Sequence, residues 1–93
     1  MIVGTLVIEI HIPGSTSLKA KRSVLNRIKD RLRNRFNASV AEIDFHDLWQ
    51  RAAIGVAVVG VEKRVIESVL SNMIRAVETE PRIEVTRVDT DFC

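Results

Sequence analysis

A chain of 93 residues has room for one domain with one core, and its 46% hydrophobic and 28% charged residues exclude a disordered protein. No apolar stretch is long enough to span a bilayer, no export signal is visible, and the single cysteine, Cys93, excludes an internal disulfide, so we expect one cytoplasmic domain over residues 1–93. The net charge is only +2, but eight of the 14 lysines and arginines lie between Lys19 and Arg35, where Asp30 is the only acid, which suggests an anionic partner.

The first third of the chain predicts a strand followed by a helix. Residues 2–11 alternate between an apolar row and a mixed row, which is typical of a strand. Pro13-Gly14 ends this strand, and Ser15 to Ser17 offer hydroxyl groups that can cap a helix. Apolar residues then recur at a helical period, so we predict a helix over residues 18–36.

The rest of the chain predicts two strands, a second helix and a last strand. Residues 37–44 and 51–59 read as strands joined by a hairpin loop. A second amphipathic stripe runs over residues 65–77, and Pro81 lies beyond its end. The alternation of the last strand slips before Val88.

The predicted order is therefore β-α-β-β-α-β. It matches the ferredoxin-like split βαβ arrangement, in which two helices pack on one face of a four-stranded antiparallel sheet. We accordingly predict a single α+β domain of this type.

The other face of the predicted sheet is unusually apolar. If Ile54 and Val56 point to the helices, then Ala57 and Val59 point away from them, beside Val7. Such a face is uncommon on a monomer, and we expect a homodimer formed through it or through an edge strand, with Ala57 as a contact. The alternative is a mixed face that tolerates exposed alanines.

The first helix carries the candidate binding residues. Lys19, Lys21 and Arg22 lie in its first turn and a half, where the helix dipole disfavours cations unless an anion sits nearby. Asn26, Lys29 and Arg33 follow along the same ridge at steps of three and four residues. The predicted nucleic-acid or anion-binding residues are Ser17, Lys19, Lys21, Arg22, Lys29 and Arg33. The alternative is an ordinary solvated helix face.

Aromatic residues are absent from the strands predicted at 2–11 and 51–59. Base stacking on the sheet is therefore not expected, and any RNA contact should be mainly to backbone phosphates. We expect Trp49, with Leu48, to cap the hairpin against the core, and a contact between Trp49 and a partner is the alternative.

The sequence contains few residues that could form a catalytic or metal-binding site. His46-Asp47 is an acid/base pair in principle, but a dipeptide of this kind in a loop is far more often solvated. The two histidines, His11 and His46, lack the clustered spacing of a zinc site. We therefore expect no enzymatic activity, no metal and no cofactor.

Two long stretches resemble the YlxP-like family of small bacterial proteins. The first is Ile12-Pro13-Gly14-Ser15 through Ser17-Leu18-Lys19-Ala20-Lys21-Arg22, and the second runs from Arg35-Phe36-Asn37-Ala38-Ser39-Val40-Ala41-Glu42 through Asp47-Leu48-Trp49-Gln50-Arg51-Ala52 to Gly55-Val56. Phe45-His46 departs from the family in a variable part of the loop, and Gly60-Val61-Glu62 replaces a strong cap before the second helix.

This resemblance implies a ferredoxin-like fold and leaves the activity open. Genes of the family commonly lie near those of translation and ribosome-maturation factors, which agrees with a basic helix that meets RNA. We therefore hypothesise a non-enzymatic accessory of translation that binds RNA or ribosomal particles through the first helix. The alternatives are a protein-interaction module that uses the sheet face and the hairpin loop, and a binder of a small anionic ligand.

Overall fold

The computed structural model describes residues 1–93 and contains four strands and two helices. They are β1 (Ile2–His11), α1 (Leu18–Arg35), β2 (Ser39–Asp44), β3 (Arg51–Gly60), α2 (Lys63–Glu78) and β4 (Glu84–Phe92). The strands form one antiparallel sheet in the order β2-β3-β1-β4, with both helices packed against it. The predicted ferredoxin-like α+β fold is confirmed.

The start of α1 is satisfied by its own serines. The Ser17 hydroxyl oxygen accepts a hydrogen bond from the Ala20 N–H at 3.0 Å, as an N-cap does. The buried Ser15 hydroxyl donates to the Ser17 carbonyl at 3.1 Å. The helix ends where Phe36 turns to an extended conformation, one residue before the predicted end.

The core lies between the helices and the inner face of the sheet. It consists of 19 buried apolar residues, drawn from both helices, from the three strands β1, β2 and β3, and from Ile12 and Ile83. Gly4 is needed in the middle of β1, since a Cβ at this position would overlap Cγ2 of Ile66 on α2. The absence of a side chain there lets α2 approach the sheet closely.

A β-bulge explains why the alternation of the last strand slips. Glu9 of β1 pairs with Arg87 while the next residue, Ile10, pairs with Val85, so Thr86 has no partner in the register. The Thr86 hydroxyl instead donates to the Glu9 carbonyl at 3.2 Å. After the bulge, Val88 faces the helices and Arg87 faces outward.

Lys21 joins α1 to the end of β2 and to the β2–β3 loop (residues 45–50). Its side chain is 1% exposed, and its Nζ lies 3.0 Å from Oε2 of Glu42 on β2. The same ammonium group donates to the carbonyls of Phe45 at 2.7 Å and His46 at 3.4 Å. One buried cation therefore holds a helix, a strand and a loop together.

Replacement of Lys21 by methionine should destabilise the protein strongly. The change keeps an unbranched side chain but leaves the half-buried Glu42 carboxylate and two carbonyls without their cation, which costs about 3–5 kcal/mol when a buried pair is broken. Urea unfolding measures the loss. Lys19→Met, on the exposed side of the same helix, should change stability by less than about 0.5 kcal/mol. Equal effects of the two substitutions would contradict the anchoring role.

Glu80 is the second buried ionisable residue with a close partner. Its side chain is 3% exposed, and its carboxylate accepts a hydrogen bond from Arg82 Nε at 2.7 Å. This hydrogen bond, with the positive charges of Arg82 and Arg27, outweighs burial and lowers the pKa of Glu80. The pair fixes the turn between α2 and β4.

A lowered pKa in the folded state makes the contribution of Glu80 pH-dependent. The unfolded chain binds this proton near pH 4.3, so the stabilisation is present above that pH and is lost as the pH falls through the lower folded-state pKa. Glu80→Gln should therefore lower the midpoint of urea unfolding at pH 7, and the difference from wild type should shrink below about pH 4. A difference that is constant from pH 7 to pH 3 would contradict this assignment.

Candidate nucleic-acid interface

Four of the predicted cations form one row on α1, which we call the basic ridge: Lys19, Arg22, Lys29 and Arg33. Lys29 is half-buried and the other three are exposed. None of the four forms an ion pair within the chain. Because these residues are separated by three, seven and four positions, the charges point to one side of the helix.

Lys21 does not belong to this ridge, and its predicted role in anion binding is wrong. Its side chain is almost fully buried, and its charge is directed at Glu42 and the loop carbonyls. An external phosphate has no access to it. The cause of its burial is its position, since Lys21 precedes Val24, Leu25 and Ile28 at the spacing of the apolar stripe and so lies on the inner side of α1.

The structure gives Ser17 the capping role that Ser15 to Ser17 could supply, and the predicted anion-binding role of Ser17 has no support in its contacts. The Ser17 oxygen is engaged as the N-cap, and the Ser15 hydroxyl is buried and donates within the chain. Ser17 therefore has a structural role in beginning the helix. The candidate interface therefore consists of the four cations of the basic ridge and does not include Ser17.

Two arginines of α1 donate hydrogen bonds to other elements: Arg33 of the basic ridge, and Arg31 outside it. Arg33 donates from Nη2 to the Val40 carbonyl at 2.6 Å, which fixes its guanidinium beside β2. Arg31 donates to the Thr79 hydroxyl at 2.9 Å and so ties α1 to the end of α2. Arg31 therefore faces the end of α2, whereas Arg33 of the basic ridge faces β2.

The β2–β3 loop places Trp49 and Leu48 at the surface, so the expectation that they cap the core is wrong. The two residues are 53% and 47% exposed. Trp49 lines an open surface cavity of about 490 Å³ together with His11, Gln50 and Arg51. Exposure of both large apolar residues side by side leaves them available to a partner.

Several contacts fix the backbone around these two residues. Phe45 has a left-handed backbone, with φ 62°, and its N–H donates to Asp44 Oδ1 at 2.8 Å. Its ring lies 3.8 Å from the Arg51 guanidinium carbon. At the other end of the loop, Gln50 Nε2 donates to the carbonyls of Pro13 at 3.3 Å and Ser15 at 3.1 Å. The loop thus lies beside the start of α1.

The outer face of the sheet has the orientation predicted from the strand pattern. Val3 pairs with Val59, and Thr5 pairs with Ala57, on the side away from the helices. Val59 is 62% exposed, whereas Ala53 is buried and Ala57 is only half-exposed. The apolar patch exists, but it is smaller than the sequence suggests.

The His46-Asp47 pair is exposed at the tip of the loop. The Nε2 atom of His46 lies 3.2 Å from the Glu42 carbonyl oxygen, so the imidazole contacts the backbone. No three histidine, cysteine or acidic side chains come together in a way that could hold a metal ion. Neither helix is long and apolar enough to cross a membrane.

Known proteins resemble this chain in sequence and in fold. The family described as "Protein of unknown function (DUF503)" matches residues 3–90. The "Uncharacterized protein YlxP" of Bacillus subtilis (strain 168) is 37% identical over 90 residues, which cover 97% of this chain and 98% of that protein.

Two solved structures share the architecture at low sequence identity, and both are de novo designs. The designed protein Foldit4 has a TM-score of 0.59 at 15% identity, with 98% of this chain and 97% of the design covered. A second design, described as having the ferredoxin fold, also has a TM-score of 0.59, at 12% identity, with 99% and 85% covered. These likenesses concern the fold alone. The sequence match extends over almost the whole chain, and the chain therefore belongs to the DUF503 family and is similar to YlxP throughout.

Proposed function

We propose that this protein is a non-enzymatic accessory of translation or ribosome maturation that binds RNA or ribosomal particles through the basic ridge of α1. The observation that supports the proposal is the row of four cations that no acid of the chain neutralises. Lysines and arginines on a solvated surface normally alternate with acids, and an unpaired row attracts an anionic polymer.

The spacing of the ridge suits a phosphate backbone. Lys19 and Lys29 are separated by ten residues, which corresponds to about 15 Å along a helix at 1.5 Å per residue. Arg33 presents a planar guanidinium that Val40 already orients, so less freedom is lost when it binds phosphate. A small anion would contact one or two of these groups, whereas an RNA strand can contact all four.

Binding to RNA should weaken steeply as salt is raised. Four phosphate contacts, each with a slope of about −0.9 on a logarithmic plot, predict roughly a 100-fold loss of affinity between 50 and 200 mM salt. Fluorescence anisotropy of labelled rRNA fragments measures this dependence. Lack of binding at low salt, or an affinity that does not change with salt, would refute the proposal.

Charge reversal within the ridge should reduce both the affinity and the salt dependence. The double variant Arg22→Glu and Lys29→Glu removes two phosphate contacts, so the slope should fall in magnitude by about 2. The matched control is Arg64→Glu with Arg75→Glu on α2, two exposed arginines whose reversal changes the net charge equally. Equal losses in both double variants would indicate that overall charge, and not the ridge, determines binding.

A second candidate function is self-association through the outer face of the sheet. Two ion pairs lie on this face, Arg51 with Glu9 at 2.8 Å and Arg87 with Asp89 at 2.8 Å, whereas Asp91 of the edge strand β4 has no cationic partner within the chain. A second copy would therefore meet an apolar centre on β1 and β3, since the unpaired Asp91 lies on the edge strand. We propose a homodimer with Ala57 in the contact, which would leave the basic ridge on α1 free.

Ala57→Glu should convert such a dimer into a monomer, because the charge would be buried against an apolar surface. Light scattering over a wide range of dilution measures the mass. Ser68→Glu, which adds the same charge on the exposed face of α2, is the control and should leave the mass unchanged. A monomer mass for wild type at every concentration would exclude the dimer.

A further inference from the structure

We propose that Trp49 on the β2–β3 loop is a stacking platform for an unpaired base of the RNA that the basic ridge holds. The inference rests on the function proposed above and adds a recognition element to it. It narrows the expected ligand from RNA in general to RNA with a single-stranded segment. It starts from the exposure of Trp49, which is 53% accessible in a loop that is otherwise well anchored.

The loop is built to hold this side chain outward. Phe45 keeps a left-handed backbone, which costs a non-glycine residue about 1 kcal/mol or more and is retained where the surroundings enforce it. The Lys21 ammonium enforces it from inside through the Phe45 carbonyl, and the Arg51 guanidinium covers the ring from outside. Strain of this kind is concentrated at binding sites, because it fixes a geometry before the ligand arrives.

The residues beside Trp49 suit a nucleobase. Arg51 and His11, which line the same cavity, are planar groups able to stack or to donate hydrogen bonds to a base. The Arg51 guanidinium is already paired with Glu9, and the His11 imidazole lies 3.7 Å from the Glu84 carboxylate, so the cavity offers no unpaired arginine or lysine to a phosphate. Asp47 is the one acid at the cavity. The electrostatic attraction for phosphate must therefore come from the basic ridge of α1. The loop would add to RNA binding through base stacking on Trp49.

The position of the loop connects it to the basic ridge. Gln50 binds the carbonyls of Pro13 and Ser15, immediately before α1, while Lys21 in the first turns of α1 binds the carbonyls of Phe45 and His46. Trp49 therefore lies at the end of the molecule where Lys19 and Arg22 begin the ridge. One strand could contact both, with its phosphates on α1 and a base on the indole.

The chain offers a direct readout, because Trp49 is its only tryptophan and it has no tyrosine. Intrinsic fluorescence therefore reports on this site alone. We would titrate the protein at low salt with an oligouridine of about 12 nucleotides and with a blunt RNA duplex of the same length, and follow Trp49 emission and the anisotropy of the labelled RNA together. The single strand should quench Trp49 in a saturable manner with the same midpoint as the anisotropy, and the duplex should not.

Substitution separates stacking from charge. Trp49→Ala should weaken binding of the single strand roughly 5- to 150-fold and leave duplex binding unchanged, whereas Trp49→Phe should retain most of the affinity. Val65→Ala, at an exposed apolar residue on α2, is the control for loss of apolar surface. Circular dichroism and urea unfolding establish that each variant is folded.

The outcomes are distinguishable. Binding of both RNAs with no change in Trp49 emission, or with full affinity in Trp49→Ala, would overturn the stacking role and leave the basic ridge as the RNA site. Absence of binding by either RNA would overturn the proposed function and the stacking role with it. A third outcome is a protein that remains bound after nuclease treatment, binds the purified wild type and does not bind Trp49→Ala. This outcome would overturn the stacking role and show that the loop binds a protein instead.

Discussion

The ammonium group of Lys21 is shielded from water, 3.0 Å from the Glu42 carboxylate and within hydrogen-bond distance of two loop carbonyls. A buried charge loses several kcal/mol of hydration, so it persists only where its partners are held in fixed positions. Here the partners come from a strand and from a loop, and the cation comes from a helix. Their contact fixes the rotation of α1 against the sheet. That rotation in turn decides which cations of α1 face the solvent and which face α2.

The loop depends on the same group. Without the Lys21 ammonium, the Phe45 carbonyl would keep only the hydrogen bond that it accepts from the Leu48 N–H at 3.0 Å, and the left-handed backbone at Phe45 would lose one of its supports. A lysine in this position therefore affects the surface indirectly. It holds the path of the chain that leads to Leu48 and Trp49, although its own hydrogen bonds go to Phe45 and His46.

Periodicity alone was sufficient to predict the element order, and five of the six elements agree with their predicted ends to within about two residues. The last strand was recognised with its irregularity, since the bulge at Thr86 interrupts the alternation in the sequence itself. Strand pairing followed from the order of elements, because a β-α-β-β-α-β chain with short connections has few alternatives.

The site was predicted less well, for reasons that involve contacts between distant residues. Lys19 and Lys21 are the same residue type in the same turn of α1. Packing of α1 against β2 buries Lys21 and leaves Lys19 exposed. Trp49 is large and apolar, which favours burial. The residues that follow it are held by other contacts, because Gln50 donates to the Ser15 carbonyl and Arg51 lies over the Phe45 ring. The sequence held one signal for the burial of Lys21, which is its position on the apolar stripe of α1. A lysine at such a position requires a buried partner of opposite charge, here Glu42.

The two ends of the molecule differ in how firmly they are held. At the end opposite the loop, Glu62 is the N-cap residue of α2, and its side chain makes no capping hydrogen bond. The first turn of α2 contains Lys63 and Arg64 but no acid, and the preceding Val61 is 84% exposed. Helix ends of this kind open most easily, so amide hydrogen exchange should be fastest there. Fraying is thereby concentrated about one helix length away from Trp49. Thermal motion at the start of α2 can proceed without disturbing the loop.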